Sequence, residues 1–155
     1  MNQKNQDRFN KIISPILLIA WCIIIFSFSN QVGGVSENSS NFIVQLVIKI
    51  FQFFGIILEN TSFLSFIVRK LAHIFLYFML YLLSFYVTKT YFLKKPMLIS
   101  FIFCILYATS DEFHQLFIEA RSFGIRDIFI DGFGSLCCFL IIWFRSKIGQ
   151  RNIPK

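Results

Sequence analysis

The chain carries two histidines, and each stands among charged residues at helical spacing. His73 closes Arg69-Lys70-Leu71-Ala72-His73, and His114 lies within Asp111-Glu112-Phe113-His114-Gln115. Arg121, Asp127 and Asp131 follow. An imidazole beside a carboxylate exchanges a proton with a bound group while the carboxylate orients the ring. Arginine and lysine hold phosphate or carboxylate. His73, Asp111, His114 and Asp131 are therefore the candidate acid–base residues. Arg69, Lys70, Glu112, Gln115, Arg121 and Asp127 are the candidate ligand-binding residues. Donors such as His73, Asp111, His114 and Asp127 suit Zn²⁺ or Mn²⁺ by type. No fixed ligand spacing such as HExxH accompanies them, so no metal is assigned and no cofactor is named. The nucleophile elbow GxSxG, the P-loop and GxGxxG are absent.

Most of these residues also have an ordinary structural reading. Arg69 and Lys70 can snorkel at a membrane surface. Tyr77 and Tyr81 suit helix–helix packing. Asp127 suits a helix N-cap. Glu119 and Arg126 read as solvated loop charges. Asp131 differs, because it sits one turn inside an apolar run. An ionisable group there costs at least about 2.5–3.5 kcal/mol on insertion scales and demands a partner. Arg121, Arg69 and His73 are the available ones, and Asp131 is expected to be ionised and held by an arginine, Arg121 or Arg69.

Apolar helices must position this set. Of 155 residues, 56% are hydrophobic and 15% charged, with 22 phenylalanines; the mean hydropathy is +0.67. Soluble domains hold about 25% charged residues. The composition excludes disorder, collagen and a disulfide scaffold. Cys22, Cys104, Cys137 and Cys138 all lie in apolar runs without ligand-like spacing, as small buried hydrophobes do. Spans are expected at about 12–28, 66–87, 96–117 and 127–144, the first being an uncleaved transmembrane helix. Between Phe42 and Leu58, Gln45, Lys49 and Gln52 fall on one helical face. That pattern predicts an amphipathic helix that is interfacial or re-entrant. The expected fold is an all-α membrane protein of one domain, 1–155: a four-helix transmembrane bundle plus that one helix.

Charge asymmetry sets the expected orientation. The N-terminal segment, the segment with Lys89, Lys94 and Lys95, and the tail together hold ten of the 15 basic residues and one acid, Asp7. The positive-inside rule makes both termini cytoplasmic and turns 29–65 and 118–126 outward in the cell membrane. The basic residues flank spans and form no basic module, which argues against nucleic acid. At about 100° per residue, Lys70, His73, Tyr77, Tyr81 and Ser84 form one stripe, and Arg69 flanks it. Ser100, Cys104, Tyr107, Asp111 and His114 form a second, with Gln115 beside it and Glu112 pointing elsewhere. Asp127, Asp131, Gly134 and Cys138 form a third. Gly132 and Gly134 permit close helix approach. Three such stripes converge only inside a bundle.

Arg69-Lys70-Leu71-Ala72-His73, with Tyr77 after it, resembles the RKxAH segment of the VanZ-like family. Asp111-Glu112-Phe113-His114-Gln115 resembles its DEFHQ segment. Arg121, Asp127 and Asp131-Gly132-Phe133-Gly134 resemble the pattern that follows, and Phe26-Ser27-Phe28-Ser29-Asn30-Gln31 resembles its FSxQ-type element. Glu119-Ala120 stands where the family often has Pro-Gly. The resemblance implies a small integral protein of the bacterial cell envelope, whose founding member is associated with low-level teicoplanin resistance. It implies which residues matter and names no reaction. Two main functions stay open. One is binding at the outer face to a membrane lipid headgroup, a cell-wall precursor or a lipoglycopeptide. The other is a membrane-embedded enzyme, acid–base or metal-assisted, that modifies an envelope component. A proton or ion pathway fits less well, since the inner halves of the spans carry almost no ionisable residues. A purely structural network is the fourth reading.

Overall fold

The computed structural model describes residues 3–30, 44–46, 48, 49, 53, 61–91, 94–118 and 124–151. Four helices make up the bundle: α1, Gln3–Ser29; α2, Thr61–Tyr91; α3, Pro96–Gln115; and α4, Ile125–Arg151. Each contains a stretch long and apolar enough to cross a membrane. Their outward faces carry large apolar side chains such as Ile19, Phe75, Leu106 and Phe129. In water that surface would be untenable, whereas lipid accepts it. All four expected spans are present. Of the expected segment 42–58, residues 44–46, 48, 49 and 53 are helical and Val44 is buried; the rest lies outside the described residues.

Helix α2 is the hub. It packs most extensively against α4 and also against α3 and α1. Helix α3 closes a three-helix core with α4, while α1 meets α3 along only a short stretch. Tyr77, Leu80, Tyr81, Cys104, Ala108 and Cys138 fill the centre. The close α2–α4 approach depends on Gly134, where a Cβ would collide with the backbone carbonyl of Ile74. Ser135 uses that proximity, donating to the Tyr77 carbonyl at 3.3 Å.

Polar contacts tie both ends. We call the end where α1 stops and α2 starts the upper end. At the lower end Lys95, in the left-handed region at φ 55°, precedes Pro96 in the first turn of α3. The Thr88 and Ser100 hydroxyls meet there at 2.7 Å. Pro15 lies inside α1 and lacks the N–H that would bond to the residue-11 carbonyl. The Lys11 carbonyl instead accepts the Tyr91 hydroxyl at 2.6 Å. Higher up, the Trp21 indole donates to the Leu76 carbonyl at 3.0 Å, and Tyr107 donates to the Cys22 carbonyl at 2.8 Å.

Candidate functional site

Helices α2 and α4 run parallel, so their polar residues meet in order from the upper end downward. Lys70 donates to Asp127 Oδ1 at 2.5 Å. One turn lower, His73 Nδ1 meets Asp131 Oδ1 at 3.0 Å. The spacing explains the match: Lys70 and His73 are three apart, Asp127 and Asp131 four apart, and each pair lies on one helical face. Asp131 is fully buried, while the His73 side chain keeps 21% exposure. A buried carboxylate on Nδ1 fixes the ring's orientation and tautomer and leaves Nε2 for other work. Asp131 Oδ2 and the Tyr77 hydroxyl are buried without hydrogen-bond partners among the described residues.

The partner of Asp131 Oδ1 is thus His73, in place of the expected arginine, Arg121 or Arg69. Arg121 lies outside the described residues. Asp127 is not the N-cap. Helix α4 starts at Ile125, and Gly124 supplies the carbonyl that accepts the Asp127 N–H at 2.8 Å. The Asp127 side chain is thereby free to reach α2. Lys70 does not extend away from the bundle; it pairs with Asp127 and lies 5.4 Å from the Phe66 ring centroid. Arg69 is partly buried, with Nε unpartnered among the described residues.

Helix α3 contributes on two faces. Its buried stripe is Ser100, Cys104, Ala108, Asp111, Glu112 and Gln115, rotated from the expected one. Glu112 turns inward and is fully buried. Its Oε2 accepts the Gly124 N–H at 2.9 Å, anchoring the start of α4. Gln115 donates to Asp111 Oδ2 at 3.3 Å, one turn away. Tyr107 and His114 flank the stripe and face α1. His114 Nε2 lies 3.4 Å from Asn30 Oδ1, and its ring stacks on Phe26 at 4.8 Å. Asp111 and His114 therefore look in different directions and form no dyad. Among the described residues no three His, Cys, Asp or Glu side chains are grouped as a metal site.

Sequence reasoning passed over Ser135 and Trp21. Ser135 sits one turn below Asp131, a spacing that marked it. Trp21 had no such signal, because an indole in an apolar run reads as lipid-facing.

The VanZ/LLP1 family model matches residues 15–146, which reach into all four helices and include every candidate residue. The chain belongs to the VanZ/LLP1 family. No curated protein and no solved structure matches it. Within that match, Lys70 and His73 of α2 meet Asp127 and Asp131 of α4, and the Asp111–Gln115 segment lies at the upper end of α3.

Proposed function

We propose that this chain acts at the outer face of the bacterial cell membrane, with both termini cytoplasmic. There it engages an anionic envelope component, a lipid headgroup, cell-wall precursor or lipoglycopeptide, and contributes to low-level teicoplanin resistance. The observation that carries the reading is the polar layer at the upper end, where an ion pair and a histidine–carboxylate contact bind α2 to α4 beside Arg69. The Lys70–Asp127 pair neutralises two charges that hydrocarbon would not tolerate singly, and His73 gives the buried Asp131 a hydrogen-bond partner. Arg69 Nε is left without a partner among the described residues. A guanidinium is suited to bidentate capture of phosphate or carboxylate. The charge asymmetry of the sequence supports the same side of the membrane.

A second reading rests on the His73–Asp131 pair. A fully buried carboxylate behind a partly exposed imidazole is the arrangement of a general base with its orienting group. The binding role needs Arg69; proton transfer needs His73 and Asp131.

Raised expression should lower susceptibility to teicoplanin more than to vancomycin. Arg69→Gln, normalised to protein in the membrane, should abolish the effect while His73→Gln weakens it. The opposite ordering moves the assignment to acid–base chemistry. Unchanged susceptibility to both antibiotics, with the protein confirmed in the membrane, removes the resistance role.

A further inference from the structure

Between α1 and α3 runs a groove of about 370 Å³, its walls including Ile19, Cys22, Ile23 and Phe26 of α1 and Phe103 and Tyr107 of α3. Its origin is the way α1 leans on α2 and touches α3 only briefly. The groove lies within the apolar stretches of both helices, at hydrocarbon depth. It follows the helix axes for roughly 10 Å at 1.5 Å per residue. Its side is open, since Ile19, Ile23 and Phe26 are 60%, 59% and 47% exposed. The Tyr107 hydroxyl already donates to the Cys22 carbonyl, and no wall residue carries a buried polar atom without a partner. Such a wall asks nothing of its occupant but apolar surface.

The upper end of the groove is different. Phe26, its last wall residue, stacks on His114, which lies against Asn30. Arg69 falls seven residues before Leu76, two turns up the same face of α2. The Leu76 carbonyl accepts the Trp21 indole of α1 at 3.0 Å, and Arg69 stands two turns above that contact. An imidazole on α3 caps the apolar slot, and a cation on α2 stands at the same upper level of the bundle. That charge pattern complements an amphiphile with an anionic head and a hydrocarbon tail.

We propose that this groove holds one acyl chain of an anionic glycerophospholipid, with its phosphate at Arg69 and His114. The site deepens the outer-face reading and rests on it for the class of headgroup. It makes the lipid a bound component, seated in one place, in contrast to lipid that merely surrounds the bundle.

The test uses the full chain in nanodiscs containing phosphatidylglycerol with a photoactivatable diazirine near the end of one acyl chain. Cross-links are mapped by peptide mass spectrometry. Labelling should concentrate on residues 18–26 and 103–107. The double variant Ile19→Trp/Ile23→Trp fills the slot from exposed positions and should lose that labelling. Leu140→Trp, at an exposed position of α4, should keep it. Diacylglycerol with the same photoprobe should label the groove less than phosphatidylglycerol does, and Arg69→Gln should erase the difference. Labelling spread evenly over the lipid-facing surface, or unaffected by the tryptophans, overturns the proposal. So do cross-links from the groove to a second copy in place of lipid. Groove labelling that persists where expression leaves teicoplanin susceptibility unchanged supports the lipid site and removes only the resistance role.

Discussion

Asp131 is among the most tightly enclosed side chains of the proposed site. Its Oδ1 is matched by His73 and its burial is complete. Asp131→Asn keeps the volume and a hydrogen bond to the imidazole but removes the charge. Asp131→Leu strands His73 without an acceptor. Breaking a buried pair from one side costs about 3–5 kcal/mol. Asp131→Leu should therefore lower the amount of inserted protein, while Asp131→Asn keeps near-normal abundance and loses function. Immunoblots of membranes beside susceptibility assays check both; full normalised activity in Asp131→Asn excludes the carboxylate from the working site. Glu112 has another task. It accepts the Gly124 N–H where α4 begins, so Glu112→Gln should preserve slow hydrogen exchange at that amide and Glu112→Ala should lose it. The need of Asp131 for a partner was legible in the sequence, because a carboxylate inside an apolar run admits few alternatives. The choice of His73 over the arginines was not. It depends on the parallel α2–α4 register, which brings positions 73 and 131 level, and sequence spacing within each helix says nothing about register between helices.

At the scale of helices, glycine sets how close α2 and α4 come. A Cβ at Gly134 would strike the Ile74 backbone, which cannot move aside without shifting a helix. At Gly132 it would meet only Ile105 Cδ1 at 3.0 Å, the mobile end of a side chain. At Gly149 nothing lies within 4 Å. Alanine substitutions should follow that order in detergent melting temperature: a large loss at Gly134, a small one at Gly132 and none at Gly149. Equal losses at all three would mean that helix propensity, and not the α2–α4 contact, governs the site. The small-residue signal of Gly132-Phe133-Gly134 was visible in the sequence, but which glycine touches backbone follows from the rotation of α4. The same holds for α3. Its polar stripe was recognisable, yet its rotation buries Glu112 and Ala108 and turns Tyr107 and His114 toward α1. Hydropathy does not determine that rotation when three faces of a helix are apolar enough for lipid.

The whole molecule was the most legible level. Four apolar runs of spanning length leave little choice of architecture, since only helices and closed barrels satisfy the backbone in lipid and runs of about 20 residues fit helices. The proposed orientation is checked by alkaline phosphatase fusions: those after Gly34 and Ser122 should be active, and one after Lys94 inactive. The reverse pattern would move the Lys70–Asp127 and His73–Asp131 layer to the cytoplasmic side. The lower end of the bundle holds a contact of another kind. The residue-11 carbonyl loses its usual donor because position 15 is proline, and the Tyr91 hydroxyl takes the vacant place. Proline and tyrosine thus form one bargain written at two distant points of the chain. A descendant that replaces Pro15 restores the helical donor and makes the Tyr91 hydroxyl redundant. One that loses the hydroxyl first leaves a carbonyl bare. The two positions should therefore be coupled in this chain: Tyr91→Phe should matter to the mooring of α1 while position 15 is proline, and should cease to matter once Pro15→Ala restores the donor.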